Sequence, residues 1–295
     1  MRDVAVDQVR RFNRTVTEQI GALDERYLGR DRPLGEARVL WEIGGGIELR
    51  ALRARLGLDS GYLSRILRAL EGEGLVRVEP SRDDRRVRRA RLTRTGAGER
   101  RALDRLSDRL AASLLERLPP RGRDRLVAAM GEVERLLAAS LVEIAVEPPE
   151  SRDAVVAVQA YYAELDRRFD GGFTPDRAAA IDPADFVPPA GVFLLARLRG
   201  EPVGCGSLRM RDGRAGEIKR VWIADAVRGA GVGRRLLDAL ERWGAEHGAR
   251  VVRLDTNRAL VEAIQMYRAA DYRVIPRFND EPYAHHWFAK RVQKA

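Results

Sequence analysis

The spacing of apolar residues changes at Pro148-Pro149, and that change alone requires the chain to build two different kinds of core. Ahead of it, apolar side chains recur three and four apart along three long runs. These are Val9, Phe12, Val16, Ile20, Leu23 and Tyr27; Leu103, Leu106, Leu110, Leu114 and Leu118; and Leu126, Met130, Val133, Leu137 and Leu141. Each spacing predicts an amphipathic helix, with Gly29 and Pro33 ending the first and Pro119-Pro120 separating the second from the third. Behind it, short alternating runs predict strands over 191–198, 202–210 and 217–223, after a helix over 151–169. The turn Arg199-Gly200-Glu201 makes the first two strands a hairpin. Residues 141–146 already alternate, so the expected domains are 1–141 and 142–295, in keeping with ~100–200 residues per domain.

Composition then removes whole classes of function. An apolar share of 45% with 33% charged residues is that of a folded soluble chain. No run approaches the ~18–20 apolar residues of a membrane span, and residues 1–14 lack a hydrophobic signal region, so the expected location is the cytoplasm, with no membrane partner. The single cysteine, Cys205, excludes an internal disulfide framework and a cysteine-rich zinc site, and reads as a small residue packed in a strand. No metal is expected, because the adjacent His285 and His286 have no carboxylate or thiol at ligand spacing. The net charge of +10 is unevenly spread: residues 81–94 hold seven arginines (82, 85, 86, 88, 89, 91 and 94) against Asp83 and Asp84. A cationic stripe of this density calls for an anionic partner, most commonly a phosphate backbone.

The segment just before that stripe says which partner. Residues 48–56 read as a short helix, Gly57 as a turn, and Asp59 or Ser60 as the cap of a second helix reaching Glu73. Burying Leu63, Ile66, Leu67 and Leu70 leaves Ser60, Gly61, Ser64, Arg65 and Arg68 outward, a set suited to a major groove. Residues 75–79 and 88–93 alternate as two strands around the arginine tip. A packed helical hairpin is the plainer alternative for the helix pair, and the basic hairpin favours DNA. The three long stripes exceed what so small a middle segment can bury, so helices of a second subunit are expected and the chain should be a homodimer. Leu56-Gly57-Leu58-Asp59-Ser60, Leu70-Glu71-x-x-Gly74-Leu75-Val76, Asp84-Arg85-Arg86 and Leu92-Thr93-x-x-Gly96 resemble the MarR family of dimeric transcriptional regulators, over about residues 5–140. The resemblance implies a double-stranded DNA operator, a wing shaped by Asp84 and Arg86, and Arg85 or Arg86 reaching toward the minor groove. Gly44-Gly45-Gly46 lacks both a preceding strand and a following Lys-Ser/Thr, and reads as a flexible turn.

In the second half, the run 221–237 places a strand and a short loop ahead of Arg228-x-x-Gly231-x-Gly233, which opens an amphipathic helix. Free amides and the helix dipole at such an end both favour an anion, and glycine allows close backbone approach to a pyrophosphate. A dinucleotide-binding turn competes, but it belongs in a parallel βαβ unit near a domain's start, and here a hairpin precedes the motif. The Arg-x-x-Gly-x-Gly segment is similar to motif A of the GNAT acetyltransferases. Leu254-Asp255-Thr256-Asn257, Ala263-Ile264-Gln265-Met266-Tyr267 and Asp271-Tyr272-Arg273-Val274 extend the resemblance over about 142–291. It implies acetyl-CoA as cosubstrate, its pyrophosphate on Arg228, Gly229, Ala230, Gly231, Val232, Gly233 and Arg234. Its arm would run along Val221, Trp222 and Ile223, with Asn257 touching it.

Acetyl transfer to an amine needs a base, a polarised thioester carbonyl and a proton for the leaving thiolate. The resemblance places the helix of Tyr267 beside the sulfur, which makes Tyr267 the expected acid, and Glu217, opening the strand that would hold acetyl-CoA, is the leading base, with His285 or His286 as the alternative. Tyr161, Tyr162, Asn279, Tyr283 and Arg220 are expected to line a site for a small amine. The expected fold class is thus two domains. A mainly α winged helix-turn-helix with long dimerisation helices precedes an α/β (α+β) GNAT acyltransferase fold around a mixed sheet. The expected function is a DNA-binding regulator fused to an acetyl-CoA-dependent N-acetyltransferase. The alternative is a regulator whose second domain mainly senses acetyl-CoA or a small ligand.

Overall fold

Thr93 shows how the first unit is assembled. Its hydroxyl accepts from the amide of Gly96, capping a helix, and donates to the carbonyl of Gly74, fastening that helix to the preceding turn. A Cβ at Gly96 would lie 1.9 Å from the carbonyl oxygen of Leu75, so only glycine permits this approach. The computed structural model describes residues 3–81, 84–178, 182–211 and 214–293, and its contacts divide the chain into units 1–128 and 129–295.

The first unit runs α1 (Val4–Gln19), α2 (Leu34–Ile43), β1 (Ile47–Glu48), α3 (Leu49–Leu56), α4 (Ser60–Gly72), β2 (Val76–Pro80), β3 (Arg88–Leu92) and α5 (Arg94–Glu116). The strands form an antiparallel sheet in the order β1-β3-β2. Leu40, Leu52, Leu70 and Leu103 are fully buried at the centre of its core, each contributing roughly 1.5–3 kcal/mol. The first helix is shorter than its stripe predicts: α1 ends before Gly21, which takes a φ of 63°, and Tyr27 is buried in a separate 3-10 turn. No residue of α1 is buried; Val9 is 57% and Phe12 41% exposed.

The second unit begins inside α6 (Pro120–Ser140), whose Ala139 is part of its core. It continues as β4 (Val142–Val146), α7 (Arg152–Arg168), β5 (Gly191–Leu198), β6 (Glu201–Arg211), β7 (Ala215–Ile223), α8 (Val232–Glu246), β8 (Val251–Thr256), α9 (Val261–Ala269), β9 (Arg273–Val274) and β10 (His286–Arg291). The seven-stranded sheet has the order β4-β5-β6-β7-β8-β10-β9, all antiparallel except β7 beside β8. One face packs on α8 and α9 through Leu236, Leu240, Ile264 and Tyr267; the other packs on α7 through Ala154, Ala157, Phe193, Leu195 and Cys205. Arg235, in the first turn of α8, donates to the carbonyls of Ala139 and Val142 and so ties α8 to the start of β4.

Candidate active site and DNA interface

The one parallel pair in the sheet creates the candidate active site. β7 and β8 are in register only from Ala215↔Val251 to Glu217↔Arg253. Beyond that point they part, so β7 from Ile218 onward has an edge that β8 does not cover. A bulge accompanies the parting: the β6 register shifts between Cys205 and Ser207, opposite Arg220, which takes a left-handed φ of 56°. A non-glycine residue in that region costs energy and marks a backbone held there by its surroundings.

Two cavities of about 250 Å³ each occupy the gap and share Tyr161, Leu165, Val221, Leu260 and Ala263. The first limb is bounded by Val221, Trp222 and Ile223 of β7 and by the loop that opens α8, through Arg228, Gly229, Gly231, Gly233 and Arg234. Gly229 and Gly231 have φ of 77° and 86°. Gly231 is the N-cap of α8 and no side chain caps that helix. Among the described residues no acceptor meets the amides from Gly229 to Arg234, the first returning bond being Arg235 N–H to Gly231. Unpaired donors converging at a helix N-terminus fit a pyrophosphate.

The sequence-predicted residues of this limb divide by task. Arg228 holds the loop: it donates to the carbonyl of Ile223, pairs with Glu164 at 2.6 Å and meets Asp225 at 2.8 Å. Arg234 bonds Asp238 and the carbonyl of Ala269. Trp222 donates its indole N–H to Glu164, which also receives Arg168. Burial would raise the pKa of Glu164, but the bond and charge of Arg228 with these donors outweigh it and lower it. Glu164, a joint between α7, β7 and the loop, is a residue the sequence reading misses. Ala230 and Val232 do not line the limb; Val232 is fully buried, and Ala230 packs against the core. Asn257 lies on the other limb instead, its amide donating to the carbonyl of Tyr283 and accepting from the N–H of Ala259, which makes it a staple of the loop rather than a free contact.

The second limb is lined by Tyr161, Tyr162, Phe169, Phe173, Arg220, Asp255, Tyr267 and Tyr283, among others. Tyr267 lies on α9, where its ring packs near Tyr272 and Phe288. Burial, with the charge of Asp255 adding to it, raises its pKa, so the hydroxyl stays protonated. Tyr161 behaves likewise and stands where the two limbs join.

Glu217 requires a correction. It is 2% exposed, lines neither limb, and is enclosed by Arg209 at 3.1 Å, Arg211 at 3.2 Å and Lys219 at 3.2 Å, with Asn279 donating at 3.3 Å. Burial alone would raise its pKa; the charge of Lys219 and the bonds from Arg209 and Arg211 hold it at about 2. A carboxylate so held is a poor proton acceptor and a good structural anion. His285 and His286 also lie off both limbs. The described residues contain no group of three or more His, Cys, Asp or Glu side chains placed to hold a metal ion.

In the first unit, Asp59 caps α4 by accepting from the amide of Tyr62. Leu63, Ile66, Leu67 and Leu70 are buried, and Ser60, Ser64, Arg65 and Arg68 share the exposed face. Arg65 lies over the ring of Tyr62, and Arg68 donates to the carbonyl of Ser64. At the hairpin tip Asp84 accepts from the amide of Arg86, leaving the Arg85 and Arg86 side chains exposed. Arg82 and Asp83 of the arginine stripe lie outside the described residues.

The model of the acetyltransferase (GNAT) family matches residues 158–272. An IAA acetyltransferase of Azospirillum brasilense is 34% identical over 128 residues, which cover 43% of this chain and 81% of that protein. The chain belongs to the GNAT acetyltransferase family. An uncharacterized N-acetyltransferase of Bacillus subtilis (strain 168) is 37% identical over 75 residues, 25% of this chain and 51% of that one. Among solved structures, an acetyltransferase of the GNAT family from Staphylococcus aureus Mu50 aligns at a TM-score of 0.45 and 16% identity, over 52% of this chain and 99% of its own. The MarR family model matches residues 35–87, so the GNAT domain follows a MarR-family domain in one chain. No described helix is long and apolar enough to cross a membrane.

Proposed function

We propose that this protein is a cytoplasmic, homodimeric regulator of double-stranded DNA joined to an acetyl-CoA-dependent N-acetyltransferase for a small amine, with the functional boundary at 141/142. The observation that carries the catalytic reading is the parting of β7 from β8 beside an uncapped, glycine-opened α8. In this reading the amides from Gly229 to Arg234 hold the pyrophosphate, and the free edge of Val221, Trp222 and Ile223 takes the pantetheine arm. An amide of that edge polarises the thioester carbonyl. Acetyl-CoA, when bound, supplies the activated acyl group. Tyr267, whose hydroxyl burial keeps protonated, donates its proton to the departing sulfur. Ser60, Ser64, Arg65 and Arg68 of α4 face the major groove, and Arg85 and Arg86 of the wing meet the backbone and minor groove.

The chain of 295 residues is tested by coenzyme A release with a panel of amines and by its shift of a fragment of its own promoter. Amine-dependent release together with a shift is the expected result. Acetyl-CoA binding with a shift and no release from any amine would replace the enzyme with the sensor reading.

A further inference from the structure

The second limb joins two chemistries that rarely meet. One is a connected set of rings: Tyr161 to Tyr162 at 5.6 Å, Tyr162 to Phe173 at 5.3 Å, Phe173 to Tyr283 at 4.9 Å and Tyr283 to Phe169 at 5.7 Å between centroids. The hydroxyl of Tyr283 accepts from the amide of Thr174 at 3.1 Å, which fixes one wall against the loop after α7. The other is a nearly buried carboxylate. The Asp255 side chain is 8% exposed, and both Lys219 Nζ and Asn279 Nδ2 (2.8 Å) reach its Oδ1. Trp287 donates to Asn279 Oδ1 at 2.8 Å, so the orientation of the Asn279 amide, and with it the bond to Asp255, is set from β10.

We propose that Asp255 receives the ammonium of the acceptor, and that the acceptor is a primary amine on a compact aromatic body. The proposal rests on the reading of this domain as an acetyl-CoA-dependent N-acetyltransferase. An ammonium leaving water for a cavity walled on one side by rings needs a counter-charge and hydrogen-bond acceptors there to offset its desolvation. Asp255 provides them through Oδ2, which has no partner among the described residues, and the rings add cation–π attraction. Lys219 meets only Oδ1 and is shared with Glu217 at 3.2 Å, so Oδ2 stays open to a donor although the neighbouring cations balance the charge. Asp255 is also close to the reacting end of the cleft: its charge adds to burial in raising the pKa of Tyr161 and Tyr267.

The same lining argues against amino acids. Its two cations are Lys219, committed to two carboxylates, and Arg220, whose guanidinium lies over the ring of Phe186 at 5.4 Å. Only Arg220 is left for a substrate carboxylate, and it stacks on that ring. The volume of about 250 Å³ falls below the ~300–1,000 Å³ of pockets for drug-sized ligands, which favours a compact body.

The test uses the full chain with acetyl-CoA and four acceptors: phenethylamine, phenylalanine, spermidine and glucosamine. Phenethylamine is expected to have the highest kcat/KM by about ten-fold or more, one step of ~1.4 kcal/mol in selectivity. Asp255→Asn is expected to raise the KM for phenethylamine at least ~30-fold while acetyl-CoA affinity, read from its shift of the melting temperature, stays unchanged. Phe173→Leu keeps the volume apolar and the ion pairs intact, and should raise that KM without altering the melting temperature of the free protein. Preference for phenylalanine, spermidine or glucosamine overturns the proposal, as does an unchanged amine KM in both variants. If acetyl-CoA neither shifts the melting temperature nor yields coenzyme A with any amine, the acetyltransferase reading fails first.

Discussion

Tyr267 combines a buried ring with a hydroxyl that opens on the second limb, and its raised pKa keeps a proton available at neutral pH. A group placed to protonate a leaving thiolate contributes roughly 10²–10⁴ in rate. Tyr267→Phe should therefore lower kcat by about 10² or more, with acetyl-CoA affinity nearly unchanged because the first limb is untouched. A wild-type rate across the pH profile would transfer the role to Tyr161, whose hydroxyl is also buried and protonated where the limbs meet. Tyr267, four residues after Ala263, is singled out by the GNAT resemblance, which places its helix beside the sulfur. Spacing could not single out Asp255, whose side chain meets that of Lys219 just beyond the paired part of β7 and β8, with all of α8 between them in sequence.

The ion pairs Asp185–Arg209, Arg209–Glu217, Glu217–Lys219 and Lys219–Asp255 run across β6, β7 and β8 on the α7 side of the sheet and end at the second limb. Glu217 titrates near 2 when folded, against about 4.3 for an unperturbed glutamate. Its depressed value means that its contribution is fully present above about pH 4.3 and is lost as pH falls from there through 2. Glu217→Gln should cost about 3–5 kcal/mol at pH 7 by leaving buried cations uncompensated. Denaturant unfolding at pH 7 and pH 3 would show that deficit shrinking, because at pH 3 the unfolded chain protonates Glu217 while the folded one still holds its charge; a constant deficit would mean that Glu217 acts by shape alone. In the first unit, replacing Arg85 and Arg86 together by alanine should weaken promoter binding and flatten the slope of log K against log salt by about 0.9–1.8, one or two phosphate contacts at ~0.9 each. An unchanged slope would remove the wing from the DNA. Both α4 and the wing were legible because a helical period and an alternating hairpin are local patterns. The acid cluster was not, because a carboxylate at the start of a strand looks the same in sequence whether it faces a substrate or three cations.

At the scale of the molecule, the two cores expected from the change at Pro148-Pro149 both exist, and the exposed stripes of α1 and of α6, where Met130 and Leu137 are 54% and 59% exposed, are parts that one chain does not complete. Val9, Phe12 and Val16 are 57%, 41% and 37% exposed. If they pack in a homodimer, Phe12→Glu should yield a monomer by light scattering at concentrations where the parent chain is a dimer. A monomeric parent would count against the dimer, and a dimeric variant would move its interface away from α1.

The chain's single cysteine gives this protein an unusual analytical property. Cys205 is fully buried between β6 and α7, and burial, against a smaller opposing pull from Arg220, pushes its thiol up to about 12. A thiol-reactive dye added at pH 8 should meet a native protein that gives a flat blank, so that colour measures free coenzyme A one for one. Colour arising before an acetyl donor is added would report chains that have come apart, and the same assay thereby keeps count of the enzyme as well as of its product.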